Sequence, residues 1–135
     1  MSERRFGRSL ASLEGLSGFV AEFLDGRGLD PGLSFELDLV LEELFTNAVK
    51  YNPEGAPEID VGLELRGSRV VLVMRDHDVE PFDLTRAPDP DVHAPLAARS
   101  PGGLGLHLVR KLAESVRYEY QDRTATTTVT LRVAP

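Results

Sequence analysis

The 135-residue chain contains no cysteine. It therefore has neither a disulfide framework nor a thiolate metal site, which fits a reducing compartment. Long apolar runs are also missing. The longest, Val70–Met74, has five residues, far short of the ~20 that a membrane-spanning helix needs. The N-terminal stretch MSERRFGRSL lacks the apolar core of a signal peptide. The sequence accordingly predicts a cytoplasmic location and no membrane partner. Basic residues are scarce: 15 Lys and Arg stand against 22 Asp and Glu, for a net charge of −7. Direct nucleic-acid binding needs cationic side chains to displace counterions, so it is excluded as a general activity. The three histidines, His77, His93 and His107, match no zinc-ligand spacing. No Gly-x-Ser-x-Gly elbow supports serine hydrolysis. Glycine is absent from 68–101 and then occurs three times in four positions, at Gly102, Gly103 and Gly105.

What is present has the length and composition of one globular domain, 1–135, with 41% hydrophobic and 27% charged residues. A short strand is expected near Phe6–Leu10, then a helix capped by Ser12 with Leu13, Leu16, Val20, Phe23 and Leu24 at helical spacing until Gly26 and Gly28. Asp30-Pro31 opens a second helix whose stripe is Leu33, Leu37, Val40, Leu41, Leu44, Ala48 and Tyr51, ending at Asn52-Pro53. Ile59, Val61, Leu63 and Leu65 alternate as a strand, Arg66-Gly67-Ser68 turns, and Val70–Met74 returns. The stretch 83–101, with Pro88, Pro90, Pro95 and Pro101, reads as a long loop. Leu104–Ser115 is a third helix, and Val116–Tyr120 and Thr127–Val133 close a hairpin through Asp122-Arg123. The order β-α-α-β-β-loop-α-β-β predicts an α+β two-layer sandwich: a mostly antiparallel sheet covered on one face by three helices.

Three places carry chemistry. In LVLEELFTNAVKY, Glu43 and Asn47 are i and i+4, so they share a helix face. At ~100° per residue they lie about 60–100° from the middle of the apolar stripe, at the edge of the buried face. Asp76 follows five apolar residues, at a strand terminus where side chains commonly face a ligand. PGGLGLHLV places glycines at a helix N-terminus, where a backbone without side chains and the helix dipole suit a phosphate. An acidic chain can hold a polyphosphate when Mg²⁺ and backbone dipoles neutralise it locally.

In this order, EELFTNAVKY, strand–Asp76, a lid-like loop and GGLGLHLV resemble the Bergerat ATP-binding fold of histidine kinases, gyrase-type enzymes and Hsp90. The whole chain is most similar to the branch of anti-sigma factors and switch-protein serine kinases. SLEGLSGFVAEFLDGRGLDPGLSFELDLVLEELFTNAVKY and APLAARSPGGLGLHLVRKL carry that similarity. The resemblance implies that Asn47 ligates Mg²⁺, a hard cation that takes few protein oxygens, and that Glu43 is the general base. It implies that Asp76 accepts from the adenine amino group, with Asp78 beside it. Gly102, Gly103, Leu104 and Gly105 would lie against the phosphates, Lys50 would help neutralise them, and 83–101 would form the ATP lid. The implied activity is ATP-dependent phosphorylation of Ser or Thr on an anti-anti-sigma (STAS-type) protein, with a sigma factor as the exchanged partner; homodimers are common in the family. Two departures stand out. The family's x-Gly after the strand-end aspartate is Asp78 here, and the first glycine of the glycine motif is Pro101. Asp78 must then adopt a backbone that favours glycine, and Asp78 and Glu80 oppose a polyphosphate unless Mg²⁺ or an arginine compensates. The alternative, which Asp78 in place of glycine supports best, is a degenerate Bergerat domain acting purely as a protein-binding module.

Overall fold

The computed structural model describes residues 1–81 and 103–133, and the side chains of 103–106 are not among those described. Five strands form one sheet: β1 (Ser2–Gly7), β2 (Glu58–Arg66), β3 (Arg69–His77), β4 (Ser115–Gln121) and β5 (Thr124–Arg132). Their order is β1-β2-β3-β5-β4, and each neighbouring pair is antiparallel. Three helices, α1 (Leu13–Gly26), α2 (Ser34–Tyr51) and α3 (Gly103–Leu112), complete the α+β sandwich expected from the element order.

The period-2 alternation of the strands sets which face the helices cover. Ile59, Val61 and Leu63 of β2, Val70, Leu72 and Met74 of β3, and Val129 and Leu131 of β5 join one core. From the helices it receives Leu16, Phe19, Val20, Phe23 and Leu24 of α1, Leu37, Val40, Leu41, Leu44 and Phe45 of α2, and Val109 of α3. Burying each of these larger side chains contributes on the order of 1.5–3 kcal/mol. The alternation has a consequence two residues past Met74. Asp76 falls on the helix-covered face and is drawn under α2 rather than into solvent.

Element ends differ from the periodicity in several places, and β3, running on to His77, holds Asp76 within the strand. The first strand is Ser2–Gly7, not Phe6–Leu10, because Phe6 is held opposite Ile59 while Leu10–Ser12 coil into a 3₁₀ turn. Ser9 caps that turn, its Oγ accepting from the Ala11 amide at 3.1 Å. Ser12, expected as the cap of α1, is already helical and its hydroxyl donates to the Gly7 carbonyl at 2.7 Å. Asp30 caps a short turn, Pro31–Leu33, accepting from Gly32 N at 2.9 Å, so α2 begins at Ser34. Finally, α3 runs from Gly103 to Leu112, because Ser115 is already paired with Thr130 in the sheet. Gly103, Leu104 and Gly105 are thus the first residues of α3. Gly102 and the expected lid at 83–101 lie outside the described residues.

Candidate functional site

The second half of α2 and the end of β3 meet at a solvent-open cleft of about 400 Å³, open solvent at its mouth included. Asn47, Ala48, Tyr51 and Asn52 line it from the helix side, and Met74, Asp76, Ala125 and Thr127 from the sheet. The buried polar residues among those described are Asn47, Asp76 and Thr127, at 5%, 3% and 4% exposure, and all three line this cleft. A polar side chain is buried at a cost unless something bonds it. Three such residues converging from two layers on one opening make it the candidate ligand site.

Asn47 is oriented from within its own helix. Its Nδ2 donates to the Glu43 carbonyl at 2.8 Å and reaches the Glu43 carboxylate at 3.5 Å. That assigns the nitrogen to the helix and leaves Oδ1 as the acceptor of the amide. Glu43 itself is half-buried at the edge of the stripe and is not among the cleft-lining residues. Its pKa is raised, chiefly by burial and further by Glu42, while the Asn47 hydrogen bond and Lys50 act in the opposite direction. A carboxylate made more basic in this way is a better proton acceptor. Lys50 is exposed, its Nζ 5.8 Å from the Tyr51 ring centroid, and it does not line the cleft.

Asp76 is held by groups distant in sequence. Arg8, one residue beyond β1, donates from Nη2 to Asp76 Oδ1, and both side chains are almost fully buried, at 6% and 4% exposure. Asn52, which terminates α2, places Nδ2 3.5 Å from Asp76 Oδ2. Gly55 gives the arginine its room: a Cβ there would sit 2.5 Å from Arg8 Cζ and 2.9 Å from Val79 Cγ1.

Asp78 takes the backbone that the glycine position demands, with φ 59°. Its carboxylate accepts from Arg123 Nε at 2.9 Å, and Arg123 Nη1 also donates to Glu80 at 3.1 Å. Both acids that would oppose a polyphosphate thus share one arginine. Asp78 is exposed and does not line the cleft, whereas Glu80 does. The main chain here is tied down as well: Val79 N donates to the Arg123 carbonyl at 3.0 Å and Tyr120 OH to the Val79 carbonyl at 2.7 Å.

Some contributors were not singled out from the sequence. Arg8, Asn52, Tyr118, Thr127 and Arg123 belong to the site or its frame. In the sequence, Asn52-Pro53 reads only as a helix stop and Asp122-Arg123 only as a hairpin turn. His77 turns to the other side of the sheet, its ring nitrogens 2.8 Å from Asp60 Oδ2 and 3.2 Å from Thr124 Oγ1. No helix among the described residues is long and apolar enough to cross a membrane.

The comparisons agree with this fold. The family described as "Histidine kinase-like ATPase domain" matches residues 6–133. Among solved structures, histidine kinase AdeS of Acinetobacter baumannii aligns over 100% of this chain and 69% of its own, with TM-score 0.54 and 14% identity. The histidine kinase domain of a blue-light activated histidine kinase from Erythrobacter litoralis aligns over 92% of this chain and 60% of its own, with TM-score 0.50 and 13% identity. At these identities the likeness is one of fold. No curated protein gives a significant match. With the family match spanning β1 to β5 and the buried polar residues gathered at one cleft, the chain belongs to the histidine kinase-like ATPase domain family.

Proposed function

We propose that the cleft binds Mg²⁺-ATP and that the protein is a regulatory serine/threonine kinase of the anti-sigma type, transferring the γ-phosphoryl group to an anti-anti-sigma (STAS-type) protein. The observation that carries the nucleotide reading is the convergence of Asn47, Asp76 and Thr127 on one opening. Members of the family generally bind ATP with Mg²⁺. The residues present fit that cation: an amide whose nitrogen is committed to Glu43 offers a neutral, hard oxygen, the donor type Mg²⁺ takes. When bound, the metal supplies charge neutralisation for the β- and γ-phosphates. Asp76 accepts from the adenine amino group, and backbone N–H groups at the start of α3 bind the phosphates. Glu43, made more basic by burial, takes the proton of the acceptor hydroxyl as its oxygen attacks the γ-phosphorus and ADP leaves.

The sequence departure favouring a degenerate protein-binding module was Asp78. The positive φ of Asp78 and the pairing of Asp78 and Glu80 with Arg123 support retention of the site instead. The test is phosphotransfer from γ-labelled ATP to a purified STAS-type protein, with wild type and Glu43→Gln compared. Label on a Ser or Thr of the partner, lost in the variant, is the expected result. Tight binding of the partner with no transfer by wild type would establish the module reading.

A further inference from the structure

Arg8 is tied at several points beside the cleft, although it follows an edge strand and sits 68 positions from Asp76. Its backbone N donates to the Pro57 carbonyl at 2.8 Å, Nε to the Ala56 carbonyl at 2.7 Å, and Nη1 to the Ala48 carbonyl at 3.3 Å. The fourth contact is the ion pair from Nη2 to Asp76 Oδ1. A guanidinium is a planar fork of fixed geometry, and here its donors are spent on three separate segments. The Ala48 carbonyl belongs to the last turn of α2, where a cation also meets the negative end of the helix dipole.

The consequence falls on Asp76. With Oδ1 taken by Arg8, the other oxygen, Oδ2, has among the described residues only the 3.5 Å approach of Asn52, at the outer limit of a hydrogen bond. Asp76 therefore enters the cleft as a carboxylate with one oxygen committed and one with acceptor capacity left. A carboxylate that can rotate or retreat adapts to several ligands, whereas one clamped at a single oxygen does not. An ionised carboxylate only accepts, so a ligand edge with an N–H donor is bonded and one with a carbonyl oxygen opposes it.

We infer that Arg8 is a positioning residue: by clamping Asp76 Oδ1 it presents Oδ2 to the ligand, and so gives the cleft its preference for a nucleobase bearing an exocyclic amino group over the same base bearing an oxo group. The inference rests on the nucleotide reading of the cleft. Arg8 touches no ligand in this scheme and acts only through Asp76.

The experiment is calorimetric titration of the full chain with Mg²⁺-ATP and Mg²⁺-ITP, for wild type, Arg8→Lys and Arg8→Gln, with melting temperatures measured in parallel. Wild type is expected to prefer ATP by about 10- to 100-fold, the range of one hydrogen bond to a charged group. Both variants should weaken ATP by about tenfold or more and ITP by less than about threefold, so the preference collapses toward unity. Should either variant fail to fold, Gly55→Ala displaces the same guanidinium without removing it, and its ATP:ITP ratio should fall in the same direction. Equal weakening of both nucleotides would overturn the inference and leave Arg8 a purely structural tie. So would a wild type that binds ATP and ITP alike, although nucleotide binding would then stand. A wild type that binds neither would overturn the nucleotide reading itself, and the inference with it.

Discussion

Asp78 offers a stability measurement that bears directly on whether the site is intact. Its φ of 59° is left-handed backbone, which costs an ordinary L-residue about 1–2 kcal/mol and glycine essentially nothing. Replacing Asp78 with Gly and, separately, with Ala removes the carboxylate in both cases, so the lost contact to Arg123 cancels in the comparison. What remains is the backbone. Alanine pays the left-handed penalty, and it gains about 0.4–1 kcal/mol relative to glycine from a less flexible unfolded chain. The difference leaves Asp78→Gly more stable than Asp78→Ala by about 0.5–1 kcal/mol, or roughly 2–5 °C in melting temperature for a chain of this size. Urea melts of the two variants, analysed at a common slope, decide the point. Asp78→Ala equal to or above Asp78→Gly would refute a committed positive φ at this position. Nucleotide titration of the same proteins adds a functional arm. If Arg123 already neutralises Asp78, Asp78→Gly should bind ATP within about threefold of wild type, about the effect of a screened surface charge. A much larger gain would mean that Asp78 still repels the phosphates.

Other expectations follow from the same geometry. Burial raises the Glu43 pKa above 4.5, so the folded chain holds that proton more tightly than the unfolded chain. The resulting stabilisation is complete below the unfolded value and is lost as pH rises through the raised folded value. Glu43→Gln, a permanently neutral analogue, should therefore melt at or above wild type at pH 7. The gap should close on acidification to about pH 4, and a variant less stable at pH 7 would contradict the sign. Gly55→Ala drives a methyl group against a guanidinium held at several points and against buried Val79, and should cost about 1–3 kcal/mol by chemical denaturation. An unchanged midpoint would show that Arg8 is free to move aside.

Of the residues singled out from the sequence, Asn47 and Asp76 line the cleft, whereas Glu43, Lys50 and Asp78 do not. The apolar stripe of α2 placed Glu43 and Asn47 on one helix edge, and the structure puts Asn47 at the cleft and Glu43 one turn behind it. From the sequence, Asp76 reads only as a strand end after five apolar residues. The alternation through Val70, Leu72 and Met74 that carries it to the covered face is set by strand pairing, not by the apolar run. The partners of Asp76 and Asp78 had no such signal. Arg8 lies 68 residues from Asp76, and Arg123 lies 45 from Asp78. Those distances close only when β1 registers on β2, with Phe6 opposite Ile59, and when β5 pairs with β3, with Ala125 opposite Asp76. Local pattern fails for the ends of elements for a related reason. Ser2–Arg5 are polar residues on an edge strand, chosen by ladder pairing and not by burial. Ser12 and Asp30 have capping chemistry, but each serves a neighbouring turn, because a short 3₁₀ segment precedes both α1 and α2.

The central claim, that this cleft holds Mg²⁺-ATP, is tested most directly by calorimetric titration of the protein with ATP and ADP, with and without Mg²⁺, alongside Asn47→Ala. The account predicts micromolar binding that strengthens with Mg²⁺. In Asn47→Ala, which removes the amide oxygen assigned to the cation, the Mg²⁺ dependence should vanish while the helix content measured by circular dichroism stays unchanged. No heat of binding at millimolar nucleotide, or an Mg²⁺ response that survives Asn47→Ala, would contradict it.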